Sequence, residues 1–148
     1  MGCQSDLLSA QAWNICQREV GRVIVCSPDS LPGAGAFIRR SISRYHGGHW
    51  TQTARERREW LLYALSPLDV YVLADDDGAV LYAWCAVDAS RNAVGYCYVR
   101  AEYRRLGLAV ALLTSAGIDL TRKTLVLEPT RASVAIAARP GYNLVHVH

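Results

Sequence analysis

The sequence predicts a mixed α/β (α+β) domain, with a mostly antiparallel sheet that runs into a parallel strand pair and is flanked by helices. Three observations carry this expectation. Residues 70–100 hold three apolar, β-branched and aromatic runs separated only by polar turns, the pattern of an antiparallel meander. Residues 104–147 then alternate helix, strand, helix and strand, and a strand–helix–strand succession implies a right-handed parallel crossover. Ahead of both lie helical stretches with one apolar stripe each.

Taken in order, residues 5–20 suit a first helix, with Leu7, Leu8, Ala12, Ile15 and Cys16 inward and Ser5 or Asp6 as its cap. Residues 22–26 (RVIVC) form a short strand closed by Ser-Pro-Asp. Gly33 and Gly35 introduce a helix over 36–45, with Phe37, Ile38 and Ile42 as its inner stripe, ended by His46-Gly-Gly-His49. Residues 51–65 form a stronger helix: Thr53 and Glu56 fit a capping box, and Pro67 stops it. Strands follow at 70–74 and 79–87, joined by Asp-Asp-Asp-Gly, and at 94–100 after the polar turn 88–92. A Leu- and Ala-rich helix over 104–118, a strand at 124–127, a helix at 133–138 and a strand at 142–147 complete one domain over residues 1–148.

Bulk properties narrow the class. Apolar residues at 51% and charged residues at 20% indicate a globular chain with a real core. A net charge of +3 favours small anions over nucleic acid as a partner. No apolar run reaches the roughly 20 residues that span a bilayer, and the start lacks the pattern of a secretion signal. The five cysteines (Cys3, Cys16, Cys26, Cys85, Cys97) are odd in number and without CxxC spacing, so reduced thiols and a cytoplasmic location are expected.

The stretch richest in chemistry is 97–109, CYVRAEYRRLGLA. A strand ends there and a helix begins, and the first N–H groups of a helix lack intrahelical partners and sit at the positive end of its dipole. Gly107 lets a ligand approach the main chain, while Arg104 and Arg105 add charge. Such a corner suits a diphosphate. A glycine placed only for packing, beside solvated arginines, is the plainer alternative.

The longer pattern resembles the acetyl-CoA motif of the GCN5-related N-acetyltransferases, in which an apolar strand leads through an aromatic loop into Arg/Gln-x-x-Gly-x-Gly/Ala. Val99 matches the strand residue, Tyr103 the aromatic, and Arg104, Gly107 and Ala109 the signature positions, with Leu106 and Leu108 between them and Ala101 where a Pro is common. The resemblance implies a sheet whose parallel pair is splayed, with acetyl-CoA as cosubstrate in the gap. Amides from about Arg105 to Ala109 would hold the diphosphate, and the main chain at Val99 and Arg100 would pair with the pantetheine arm. It further implies direct acetyl transfer to an amine, of a small molecule or a protein, without a metal. A looser likeness is to small acetyltransferase-like proteins of bacteriophages.

The pattern also departs from the family. Ala137 stands where the family carries a tyrosine that protonates the departing thiolate, and Thr130 where it carries an Asn. One terminal strand replaces the two of many members, so the acceptor side is either open or completed by a second subunit in a homodimer. Glu128 is the first candidate for general base and Asp88 the second; Glu128 equally suits capping the next helix or pairing with Arg131. Tyr96 and Tyr98 line an acceptor pocket or pack against a helix. Cys85 and Cys97 belong to the core. His46 and His49 lack further ligands for zinc and suit a solvated or substrate loop, and His146 is expected on an exposed strand. Two other functions stay open: a binding protein with this fold and no turnover, and, behind it, a nucleic-acid-associated protein using the Arg-rich helices.

Overall fold

The computed structural model describes residues 3–4, 23–42, 53–104 and 106–146. The expected first helix over 5–20 and the His46–His49 loop lie outside them. Seven strands form one sheet in chain order: β1 (Cys3–Gln4), β2 (Val23–Cys26), β3 (Asp69–Asp75), β4 (Leu81–Asp88), β5 (Ala93–Val99), β6 (Lys123–Val126) and β7 (Asn143–His146). Four α-helices are described: α1 (Ala34–Ile42), α2 (Ala54–Leu65), α3 (Leu108–Ser115) and α4 (Arg131–Ala137). The pairs from β1 to β5 are antiparallel, and β5–β6 and β6–β7 are parallel. The mixed, helix-flanked sheet is the one expected, with β1 and a second parallel junction added.

Local signals account for the elements. Thr53 and Glu56 form the capping box of α2: each side chain accepts from the other's main-chain N–H at 3.1 Å. A similar exchange between Thr130 and Ser133 starts α4 two residues earlier than its apolar pattern suggested. α3 is shorter than expected, because residues 101–103 make a separate 3-10 turn and Gly107 becomes the N-cap.

The sheet separates two cores. One packs α3 and Ile136 of α4 onto Val87, Val94, Cys97 and Val99; the other packs α1 and α2 onto Trp84, Ala86 and Tyr96. Trp84 stacks on Tyr96 with ring centroids 5.1 Å apart and donates its indole N–H to Ser41 Oγ at 2.7 Å, tying α1 to β4.

Cys26 is disulfide-bonded, which corrects the expectation of uniformly reduced thiols. The β1–β2 ladder sets the Cα of Cys3 opposite that of Cys26. Nothing in the spacing of the cysteines pointed to a two-residue strand here, so the thiol-based argument for a reducing compartment does not hold for Cys26. Among the described residues no helix is long and apolar enough to cross a membrane.

The decisive feature is how β5 leaves β6. Val87 pairs with Val94 but Ala86 pairs with Tyr96, so Gly95 is an extra residue, a β-bulge. The bulge reverses the facing of the strand: Val94 lies in the first core, yet so do Cys97 and Val99. Pairing with β6 covers only Ala93 and Val94, and its last rung is the Leu127 N–H donating to the Val94 carbonyl at 2.9 Å. At the other end Asn92, in the left-handed region at φ 51°, clamps the strands. Its Oδ1 accepts from Asp119 N–H at 2.8 Å, and its Nδ2 donates to the Asp119 and Lys123 carbonyls at 2.9 and 3.0 Å. The strands are therefore pinned at one end and forked at the other.

Two variants test this arrangement. Asn92→Ala should lower the unfolding free energy by about 2–4 kcal/mol in a urea titration, and Asn92→Gly, which keeps the backbone conformation, should lose nearly as much. A Cβ on Gly95 would meet Leu68 Cδ1 and Leu65 Cδ2, the latter at 2.9 Å, and the Ala86 carbonyl at 3.2 Å. Gly95→Ala should therefore destabilise by about 1–3 kcal/mol, part of it recovered in a Leu68→Ala background.

Candidate functional site

Two cavities flank the fork, one on each face of the sheet. The first, of 390 Å³, lies between the end of β5, the start of α3 and the length of α4; Val99, Tyr103, Gly107, Ala109 and three arginines, Arg104, Arg131 and Arg139, line it. The second, of 650 Å³, lies against α2 and is lined by Trp60, Leu61, Leu65, Gly95, Leu127, Glu128 and His146.

The first cavity brings a helix start and cationic side chains together. Gly107 holds φ 79°, ψ 9° at the N-cap of α3, a left-handed conformation costly for any side chain. The first helical bond runs from Ala111 N–H to the Gly107 carbonyl, so the amides of Leu108, Ala109 and Val110 have no partner within the helix. Leu108, Ala109 and Val110 line the cavity, and the side chains of Leu108 and Val110 are buried in the core. Arg104 donates from Nε to the Val99 carbonyl at 3.1 Å, which fixes its guanidinium at the cavity wall. Arg131 and Arg139 bracket α4 from either end and bring two more guanidinium groups to the same space. Arg105 lies outside the described residues.

The wall formed by β5 differs from the sequence expectation. Arg100 N–H donates to the Tyr82 carbonyl at 2.9 Å, so Arg100 faces β4. Its side chain follows, reaching the Leu81 carbonyl at 3.3 Å and Glu102 at 3.0 Å and lying 5.5 Å over the Tyr103 ring. By the alternation of an antiparallel ladder, Cys97 and Val99 then turn their N–H and C=O groups toward the fork. Arg104 occupies the Val99 carbonyl. The main-chain groups aimed into the gap thus belong to Cys97 and Val99, and Arg100 is not among them.

The remaining candidates sort by position. Glu128 lies just past the last rung of β6, at the second cavity, and Thr130 rather than Glu128 caps α4. Arg131 belongs to the opposite cavity. Asp88 is not at the fork: it caps the turn after β4, accepting from Ser90 Oγ at 2.6 Å and Arg91 Nε at 2.8 Å. The Ser90 hydrogen bonds, then those from Arg91, hold its carboxyl below the usual range, which makes it a poor base. Tyr96 is buried; its phenol is pushed up to about 12 by desolvation, with the Glu128 charge adding to the shift. Tyr98 meets Phe37 edge-on at 6.1 Å in the second core. Both tyrosines pack against helices. Among the described residues no three His, Cys, Asp or Glu side chains gather as a metal site.

Sequence reasoning missed Arg139, Gly95 and Trp60 as site residues and placed Arg131 differently. The α4 arginines look like ordinary polar ends of a short helix, and only the crossover brings them over α3. The chain matches no protein-family model, and no curated protein or solved structure is significantly similar to it.

Burial pushes the Cys97 thiol up to about 12 and raises that of Cys85 well above its usual value. At pH 8 the Cys97 thiolate is then about one part in ten thousand. Iodoacetamide at pH 8 should leave both thiols unmodified in the native protein, as read by peptide mass spectrometry, and label them once urea unfolds it.

Proposed function

We propose that this chain is an N-acetyltransferase of the GCN5-related type, taking acetyl-CoA in the arginine-lined cavity and an amine at the opposite mouth of the fork. The observation that carries this reading is the coincidence of three features at one corner: a strand parted from its neighbour, a left-handed glycine opening α3, and three arginines around the amides of that helix start. A diphosphate carries the charge that those amides and guanidinium groups compensate. An extended chain of amides fits the main-chain groups that Cys97 and Val99 turn toward the fork.

Acetyl-CoA supplies the activated acyl group as a thioester. The chain supplies the rest. Leu108, Ala109 and Val110 with Arg104, Arg131 and Arg139 hold the diphosphate, and Cys97 and Val99 align the arm along β5 as an added strand. Glu128, across the fork, takes the proton that the attacking nitrogen must lose. Ala137 is exposed on α4 at the position of the family's tyrosine, so no phenol stands there to hold a proton. That absence favours one other reading, a protein that binds acetyl-CoA without turning it over.

Acetyl-CoA at a hundred times its dissociation constant should stabilise the protein by about 2.7 kcal/mol and raise Tm by several degrees. Gly107→Glu should abolish the shift, while Gly107→Ala, which shares the backbone strain, should retain much of it. Arg131→Ala with Arg139→Ala should weaken binding about tenfold or more and flatten its dependence on salt. With a competent amine, free thiol should appear, and Glu128→Gln should slow its release by about a hundredfold while leaving the thermal shift intact. Binding without thiol release across an amine panel would favour the non-catalytic reading; no thermal shift at millimolar acetyl-CoA would refute both.

A further inference from the structure

The second cavity has a chemistry of its own. At 650 Å³ it is within the range of small-molecule sites, and most of its lining is apolar: Leu61, Ala64 and Leu65 from α2, and Leu127 and Pro129 beyond β6. Three further side chains line it, Glu128, Trp60 and His146, and the first two give it direction. Glu128 contributes a carboxylate beside the point where β5 and β6 part, which Gly95 and Leu127 mark in the same wall. Trp60, 43% exposed, contributes an indole to the wall. On α2, Arg55 is exposed and pairs with Glu59 at 3.0 Å, and among the described residues no second Asp or Glu lines the cavity.

We infer that this cavity takes a primary amine with a single positive charge on an apolar, preferably aromatic, body. The inference rests on the acetyltransferase reading and names the acceptor class for it. Glu128 attracts the ammonium group, and the leucines and Trp60 enclose the body, at the fork where the nitrogen must meet the thioester. The bound ammonium first loses one proton to Glu128, which passes it to water; the neutral nitrogen then attacks the acetyl carbon and gives its second proton to Glu128 as the carbon–sulfur bond breaks and CoA leaves as the thiolate. Polyamines and lysine-rich peptides fit poorly, because among the described residues the lining offers their further charges no second carboxylate. An aromatic ring gains on an indole face, while the ammonium is held by Glu128.

Calorimetric titration of the full chain with 2-phenylethylamine, 2-phenylethanol, butylamine and spermidine, each with and without saturating CoA, tests this. We expect 2-phenylethylamine to bind about tenfold or more tighter than the other three, since losing either the charge or the ring removes about 1.4 kcal/mol or more. Glu128→Gln should bring 2-phenylethylamine down toward 2-phenylethanol and leave the alcohol unchanged. Trp60→Ala, a change at an exposed site, should weaken both aromatic ligands and spare butylamine. Spermidine binding as tightly as 2-phenylethylamine, equal affinity for amine and alcohol, or no amine binding in the presence of CoA would each overturn the inference. CoA heats measured alone keep the two claims apart: CoA binding without amine selectivity defeats only this inference, and amine selectivity without CoA binding defeats only the transferase reading.

Discussion

The structure depends on an unequal pairing between two parallel strands. Asn92 ties the starts of β5 and β6 with hydrogen bonds to Asp119 and Lys123, and Gly95 inserts an extra residue into β5 three positions later. A bulge bends and twists its strand, so β5 stays in register with β4 while turning away from β6. Main-chain groups of Cys97 and Val99 are left aimed into the gap. Dry, each such group would cost on the order of 1–3 kcal/mol, so the fork calls for water or for a ligand with donors and acceptors spaced like a strand. Arg104 already serves the Val99 carbonyl, a small instance of the same requirement.

Around that gap the sheet sorts charge by face. Guanidinium groups from the turn before α3 and from both ends of α4 gather on one face. On the other, a carboxylate lies beside leucines and an exposed indole. An anionic donor and a cationic acceptor would therefore approach from opposite faces and meet where the strands part. The two cores make this possible, because each face has its own helices. The buried thiols Cys85 and Cys97 are packing groups of the first core.

Much of the fold was legible because it is encoded locally. The capping box at Thr53 and Glu56, the polar turns between β3, β4 and β5, and the glycine opening α3 all act over a few residues. The bulge was not legible: Gly95 sits within VGYCYV, whose composition fits an uninterrupted strand, and only the register against β4 shows the extra residue. The same gap in reasoning gave Tyr96 and Tyr98 a pocket-facing option and turned the main chain of Arg100 toward the fork, where that of Cys97 faces. Arg131 and Arg139 act through a crossover, which sequence spacing does not describe. Glu128 was reachable because it directly follows an apolar strand, whereas its neighbours Trp60 and His146 come from distant segments. The disulfide at Cys26 lay beyond any spacing rule.

Amide-resolved NMR during a titration with CoA tests the central claim most directly. The account predicts that the largest shifts fall on Leu108, Ala109 and Val110 and on Cys97 and Val99, with Arg100 and the Asp88 turn nearly unmoved. Shifts concentrated elsewhere, or a fork that stays silent at saturating CoA, would contradict it.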